Sequence, residues 1–314
     1  MRPIRFFPDN TTYDFVRLRL AAFAFSLLLV TITGVSLAVN GLNFGIDFKG
    51  GVLVEVQTAQ PIDIPALRNQ LAAADFSTVE VQQFNNPREA LIRVDSGELG
   101  TAAASQVVPR IRAALGAEYE FRRTELVGPR VSGELLRDGA LATLLAIAAI
   151  AVYVWFRFEW QFGVSAMIAT AHDVVVTIGL LSVTQLEFNL TAVAALLTLA
   201  GYSINDTVVV FDRMRELLRR HKRIPLGEII NLAVNQTMSR TLLTSGTTLA
   251  AILPLLFFTT STLLNFTVSL VWGILIGTFS SIFVAAALLL YLPPLNRATA
   301  EDVTPEALIE NEGR

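Results

Sequence analysis

The stretch FNLTAVAALLTLAGYSINDTVVVF, residues 188–211, is long enough to cross a membrane as a helix, yet it contains Asp206. About 20 predominantly apolar residues span a hydrocarbon core, and a carboxylate near the middle of such a helix costs about 2.5–3.5 kcal/mol to insert. The remainder of the chain establishes that the solvent is lipid. Of 314 residues, 53% are hydrophobic and only 16% charged, against about one quarter charged in soluble domains; mean hydropathy is +0.55. Five further apolar runs, near 18–39, 139–156, 162–183, 240–258 and 266–292, bring the expected transmembrane helices to six.

Lys and Arg mark the loops expected to stay in the cytoplasm. Arg2, Arg5, Arg17 and Arg19 precede the first span, and Arg213, Arg215, Arg219, Arg220, Lys222 and Arg223 separate the fourth from the fifth, whereas 184–187 and 259–265 carry none. This places both termini in the cytoplasm, residues 1–17 and 293–314, and puts 40–138 outside. The first apolar run exceeds the 7–15 residues typical of a cleaved signal, so it reads as a retained anchor. The chain has no cysteine, which removes disulfides and thiolate metal sites. With a single histidine within the spans, no metal is expected.

Residues 40–138 read as a small folded domain. VLVEVQ (52–57) alternates as a strand, and DIPALRNQLAAA (63–74) starts a helix with Asp63 as N-cap and Pro65 in its first turn. TVEVQQF (78–84) and EALIRVD (89–95) alternate again around the turn NNPR. A helix at about 101–115 and a strand at 119–127 complete the order βαββαβ, that of an α+β ferredoxin-like domain. Such a fold identifies no ligand.

At helical spacing Tyr202, Ser203, Asp206 and Arg213 share one face of the fourth span, so Asp206 belongs to a polar stripe. Gln236, Thr237, Arg240, Thr244 and Thr247 form a second stripe on the fifth. If that helix starts near Asn231, Arg240 lies roughly 13 Å inside it, at a depth where it can meet Asp206. The third span adds His172 and Asp173, flanked by Thr170 and Thr177; a relay and mere helix glue are both open for them. Gly273 and Gly277 form a G-x-x-x-G in the sixth span, read as close helix packing.

There is no G-x-x-x-x-G-K-[ST] phosphate loop, no H-E-x-x-H and no G-x-S-x-G, so no enzyme activity, ATP hydrolysis or cofactor is expected. An intramembrane ionisable pair without a fuel-binding loop points to an ion gradient, worth about 2.3 kcal/mol per charge per 100 mV. Carboxylates serve H⁺ and Na⁺ alike.

GLNFGIDFKGG (41–51), LVGPRVSGEL (126–135), AHDVVVTIGL (171–180), GYSINDTVVVFDRMRE (201–216) and NQTMSRTLLTSGTT (235–248) together resemble the SecF family of bacterial protein-export subunits. The resemblance covers nearly the whole chain; the first dozen residues and the tail after Pro294 match nothing. It implies half of a twelve-span unit of the resistance-nodulation-division type, with SecD as the other half, the Sec channel (SecYEG) and unfolded preproteins as partners, and membrane lipid but no nucleic acid as surroundings. It further implies residence in the bacterial inner membrane and export assisted by the proton motive force, with Asp206 and Arg240 on the proton pathway; Tyr202, Ser203, Asn205 and Thr244 beside them read, like His172 and Asp173, as relay or polar support. Gly45, Asp47, Gly50 and Gly51 read as a junction where the chain leaves the membrane. A proton-coupled exporter of small molecules or lipids and a non-transporting scaffold of the channel are the alternatives.

Overall fold

The computed structural model describes residues 11–293 apart from 75, 77, 78, 85, 96–100, 259 and 260; the terminal segments 1–10 and 294–314 lie outside the described residues. Six helices among these are long and apolar enough to cross a membrane. They are α1 (Arg19–Val39), α5 (Pro129–Arg157), α6 (Trp160–Thr184), α7 (Leu190–Arg220), α8 (Leu226–Ile252), extended by α9 (Leu255–Phe258), and α10 (Ser261–Ser280), which runs through a π-wound stretch, Ser281–Ala285, into α11 (Ala286–Leu288).

Several helices outrun their apolar runs. α5 begins ten residues before the expected 139, because Pro129 suits a first helical turn and an Arg130–Glu134 pair spans the next one at 3.3 Å. α7 continues to Arg220 and α8 starts at Leu226 rather than near Asn231. Arg240 therefore lies fourteen residues inside α8, about 21 Å at 1.5 Å per residue. Asp206 lies fourteen residues before the end of α7, so the two remain at matched depth.

α6, α7 and α10 form the packed centre. A methyl group added at Gly179 of α6 would stand 1.9 Å from Thr33 Oγ1 of α1, and one at Gly273 of α10 would stand 2.5 Å from Leu199 Cδ2 of α7. Glycine at these positions lets the backbones approach, which is the chief means of association where lipid removes the hydrophobic drive. The N-terminal segment docks on the start of α8: Tyr13 N–H donates to Asn235 and Val16 N–H to Asn231, each at 3.0 Å. Arg19 at the start of α1 reaches Tyr291 beyond α11. Both ends of the bundle thus lie on one membrane face, with the α7–α8 connection.

On the opposite face stands a four-stranded antiparallel sheet in the order β2-β3-β1-β4. Its strands are β1 (Gly51–Gln57), β2 (Val79–Phe84), β3 (Glu89–Asp95) and β4 (Glu120–Val127). Helix α3 (Ile64–Ala73) follows β1, and α4 (Thr101–Leu115) follows β3. Asp63 caps α3, accepting the Ala66 N–H at 3.2 Å. Alternation sends Val52, Val54, Val56, Ile92 and Val94 against Leu67, Leu71 and Ile111 of the two helices. The other face carries Leu53, Leu91 and Arg93, all buried. It is covered by the short helix α2 (Ile46–Lys49), whose Ile46 packs on Leu53 and Leu91.

Candidate functional site

Two carboxylates lie buried in the bundle, Asp173 at 0% and Asp206 at 2% exposure. Asp173 on α6 is held from three sides. His172 Nδ1 meets its Oδ1 at 2.9 Å, and the hydroxyls of Ser203 on α7 and Ser280 on α10 donate to its Oδ2 at 2.5 and 2.6 Å. Gly277 makes the room, since a side chain there would press on Ser203 at 3.3 Å and on Asp173 Oδ2 at 3.6 Å. The π-wound stretch follows directly, a form that recurs at functional sites. Ser281 within it shares a hydrogen bond with Thr207 at 2.9 Å, and the Ala285 carbonyl accepts from Ser165 at 2.6 Å.

One turn beyond Ser203, Asp206 faces α8, beside the Ser245 and Thr244 hydroxyls. Its Oδ2 has no hydrogen-bond partner among the described residues, nor has His172 Nε2. Buried polar atoms are nearly always paired; of the eight left without a partner among the described residues, these two belong to side chains that can bind and release a proton. Ser245 ties the region together, receiving Tyr202 OH at 3.3 Å and sharing a hydrogen bond with Thr278 of α10 at 2.7 Å.

The expected meeting of Asp206 with Arg240 is not an ion pair in this structure. Asp206 points into the bundle while Arg240 is exposed on α8, near enough for its charge to act on the carboxylate but not in contact. The offset runs along the helix: the α8 residues beside Asp206 are Thr244 and Ser245, one turn further into α8 than Arg240, whose side chain is left exposed. Arg213 turns away too, to Gln236 at 2.6 Å and to Glu216. Asn205, Thr198 and Gly201 line the exposed face of α7, and Arg240, Gly246 and Thr247 that of α8.

Gly45, Asp47, Gly50 and Gly51 sit where the sheet meets the bundle. Gly50 and Gly51 have φ of 72° and 138°, conformations that a side chain strains, and they turn the chain from α2 into β1. Gly45 packs so closely on α7's entry that an added Cβ would lie 3.0 Å from Asn189 Cβ. Its N–H donates to the Phe188 carbonyl at 2.9 Å, and Phe188 N–H donates to Asn43 O at 2.7 Å. Asp47 Oδ2 accepts the Leu190 N–H at 2.9 Å, a negative charge at the positive end of α7. Asn189 caps the same end through Ala192 N–H at 3.0 Å.

The sequence did not single out Arg93, which holds this junction from the sheet side. It is 3% exposed, donating to Asn43 Oδ1 at 3.3 Å and to the Phe44 carbonyl, with Glu80 at 3.8 Å. In an alternating strand it reads as a solvent-facing residue, and only the covering of the sheet's second face buries it. Beside it a cavity of about 520 Å³ is lined by Asp47, Leu53, Glu125, Glu187 and Asn189, among others.

Glu187 is the perturbed group of that cavity. Burial pushes its carboxyl above the ordinary range, against the pull of Arg93. A raised value means that the folded chain holds a proton the unfolded chain would release, so the stability it contributes is present at low pH and lost as pH rises through the raised value. Glu187→Gln is expected to raise the thermal midpoint at about pH 7 and to leave it unchanged at about pH 4. A lowered midpoint at neutral pH would mean that the fold needs this charge beside Arg93.

A bundle of six membrane-length helices around buried carboxylates, with a small sheet domain joined to one of those helices by a capped junction, defines a polytopic membrane protein with a polar interior. Residues 107–294 match the C-terminal family model of SecD/SecF protein export membrane proteins, and 35–62 match the SecD/SecF GG motif. The protein translocase subunit SecF of Desulfurispirillum indicum is 45% identical over 291 residues, covering 89% of this chain and 91% of that one. The subunit of the same name from Rickettsia akari is 39% identical over 289 residues, 91% and 94% of the two chains. The crystal structure of SecDF from Thermus thermophilus, a translocon-associated membrane protein, superposes with a TM-score of 0.81 at 35% identity, covering 91% of this chain and 39% of that one. SecDF in a super-membrane-facing form gives 0.67 at 33% identity, with 99% and 41% covered. The chain belongs to the SecF family of protein translocase subunits.

Proposed function

We propose that this protein is the SecF half of a SecD/SecF unit that uses the proton motive force to assist export of unfolded preproteins through the Sec channel. The relatives' names and the SecDF likeness support protein export with SecD; the proton enters through the chemistry of Asp206. Its Oδ2 is the acceptor atom, and Asp173, saturated by His172, Ser203 and Ser280, keeps α6, α7 and α10 in register around it. Protonation removes the charge that Arg240 acts on, so α7 and α8 gain a reason to shift. α7 carries that shift to the junction through the hydrogen bond from Leu190 N–H to Asp47. Sodium is the alternative coupling ion, since a carboxylate serves both.

The observation that carries the partnership is the exposed face of α7 and α8. Thr198, Gly201, Asn205, Arg240, Gly246 and Thr247 lie uncovered at membrane depth, where a lipid-facing arginine is costly and small residues favour helix association. This supports a second half, as in a twelve-span resistance-nodulation-division unit. The order β2-β3-β1-β4, with helices after β1 and β3, supports a ferredoxin-like reading of the sheet domain. The Lys and Arg distribution supports an inner-membrane orientation with both termini cytoplasmic and 40–138 outside.

A photo-cross-linker at Asn205 or Thr247, in membranes containing the whole machinery, is expected to yield a SecD adduct. One at Leu144 on the outer face of α5 is expected to yield none. Adducts of equal strength from all three positions would end the two-half reading.

A further inference from the structure

The membrane face opposite the sheet carries an arginine cluster that the export reading does not use. Arg157 closes α5, and Arg215, Arg219 and Arg220 lie on the last turns of α7. With Asp212 and Glu216 they line an open pocket of about 460 Å³. Four arginines against two carboxylates leave an excess of two positive charges there.

Part of the cluster is built rather than loose. Arg157 Nη2 donates to both Asp212 oxygens at 2.6 Å, and Arg215 Nη1 donates to the Arg157 carbonyl at 2.9 Å. Both guanidinium groups also lie against the buried Phe158 ring, 5.2 and 5.4 Å from its centroid. Asp212 compensates only one of these two charges, and Arg220 pairs with Glu216 at 2.8 Å. Arg219, exposed, has no ion-pair partner among the described residues. Trp155 and Phe156 directly precede Arg157 and Trp160 starts α6, all three exposed, at the level where aromatic side chains gather at the lipid headgroups. α5 is almost wholly unburied within the chain, so lipid reaches the pocket edge.

Like charges held against one ring repel unless an anion joins them, and guanidinium forks match phosphate oxygens. Basic pockets between membrane helices at the headgroup level bind such lipid heads. We propose that this pocket is a binding site for the phosphate of an anionic phospholipid, with Arg215 and Arg219 as its donors and the Trp155–Phe156 edge against its acyl chains. The site fixes the end of α7 to the bilayer, giving the helix that bears Asp206 an anchor at the surface away from the sheet.

The test uses the full chain, purified in mild detergent with any partner it carries. Native mass spectrometry counts the lipid retained after mixing with cardiolipin, phosphatidylglycerol or phosphatidylcholine. Cardiolipin and phosphatidylglycerol are expected to stay bound and phosphatidylcholine to be lost. The pair Arg215→Gln with Arg219→Gln should lower retention about tenfold, while Arg112→Gln on the sheet domain should not. Arg219→Glu alone, at an exposed position that folding tolerates, should lower it as well. Undiminished retention by these variants, or equal retention of phosphatidylcholine, overturns the proposal. Displacement of the lipid by excess inorganic phosphate overturns it too, since the pocket would then read free phosphate rather than a lipid.

Discussion

Asp206→Asn is expected to abolish the gradient-dependent part of export while leaving the chain folded and bound to its partner. Asparagine keeps the shape of the side chain and its polar contacts with Ser245 and Thr244, and it removes a buried charge, so stability does not suffer. It cannot exchange a proton. The energy at stake is about 2.3 kcal/mol per charge for each 100 mV, enough to bias a two-state element that differs by a few kcal/mol. In vesicles holding the Sec channel, ATP-driven insertion should continue, and completion under a gradient should fall to the level seen with an uncoupler.

Arg240→Ala should give the same loss, and the double variant should be no worse than either single one, as expected for two groups serving one step. The two side chains are not an ion pair here, so their coupling runs through the field of Arg240 at the Asp206 carboxylate and the shift of α7 against α8 that a change in that charge drives. Normal secretion by Asp206→Asn under an intact gradient would falsify the proton reading and leave Asp206 as helix glue.

Much of the architecture was legible because lipid imposes a simple rule on length and polarity. The strand at 89–95 and the helix at 101–115 carry the same bounds in the structure, since alternation and periodicity are strong there. Helix ends outside the lipid were not legible. Arg130, Glu134, Arg137 and Asp138 belong to α5, but a count of apolar residues stops before them. Asp206 announces itself by its insertion cost, and so does Asp173, although what holds Asp173 does not. Ser280 and Ser281 sit in an apolar run and look like tolerated small residues; the π-wound turn that aims them is a backbone event without a sequence signature. Which α8 residues Asp206 meets was not legible, because depth counted from each helix's own end leaves out how one helix slides and turns against its neighbour, which comes from packing.

The junction is expected to show the next largest effect, and Arg93→Met is the variant that tests it. The methionine preserves apolar volume on the sheet's second face but withdraws the donors that hold Asn43 and the Phe44 carbonyl. A buried acceptor left unpaired costs about 1–3 kcal/mol, and segment 43–50 should loosen accordingly. Asp47→Asn acts on the same segment from the other end: the acceptor oxygen stays, but the negative charge at the positive end of α7 is lost, at a cost of about 0.3–1 kcal/mol. Since 1.36 kcal/mol is a factor of ten, amide exchange at Gly45 and Leu190 should quicken about tenfold in Arg93→Met and about two- to fivefold in Asp47→Asn. The two effects should be non-additive, because both release one strip of chain. The packing of Val52, Val54 and Ile92 on α3 and α4 lies on the opposite face of the sheet, so exchange within the sheet itself should stay slow. Export should nonetheless fall, because α7 would move without carrying the sheet domain with it. Faster exchange at the junction combined with undiminished export would mean that the domain does its work without being driven by α7, and the mechanical route from Asp206 to the outside would have to be abandoned.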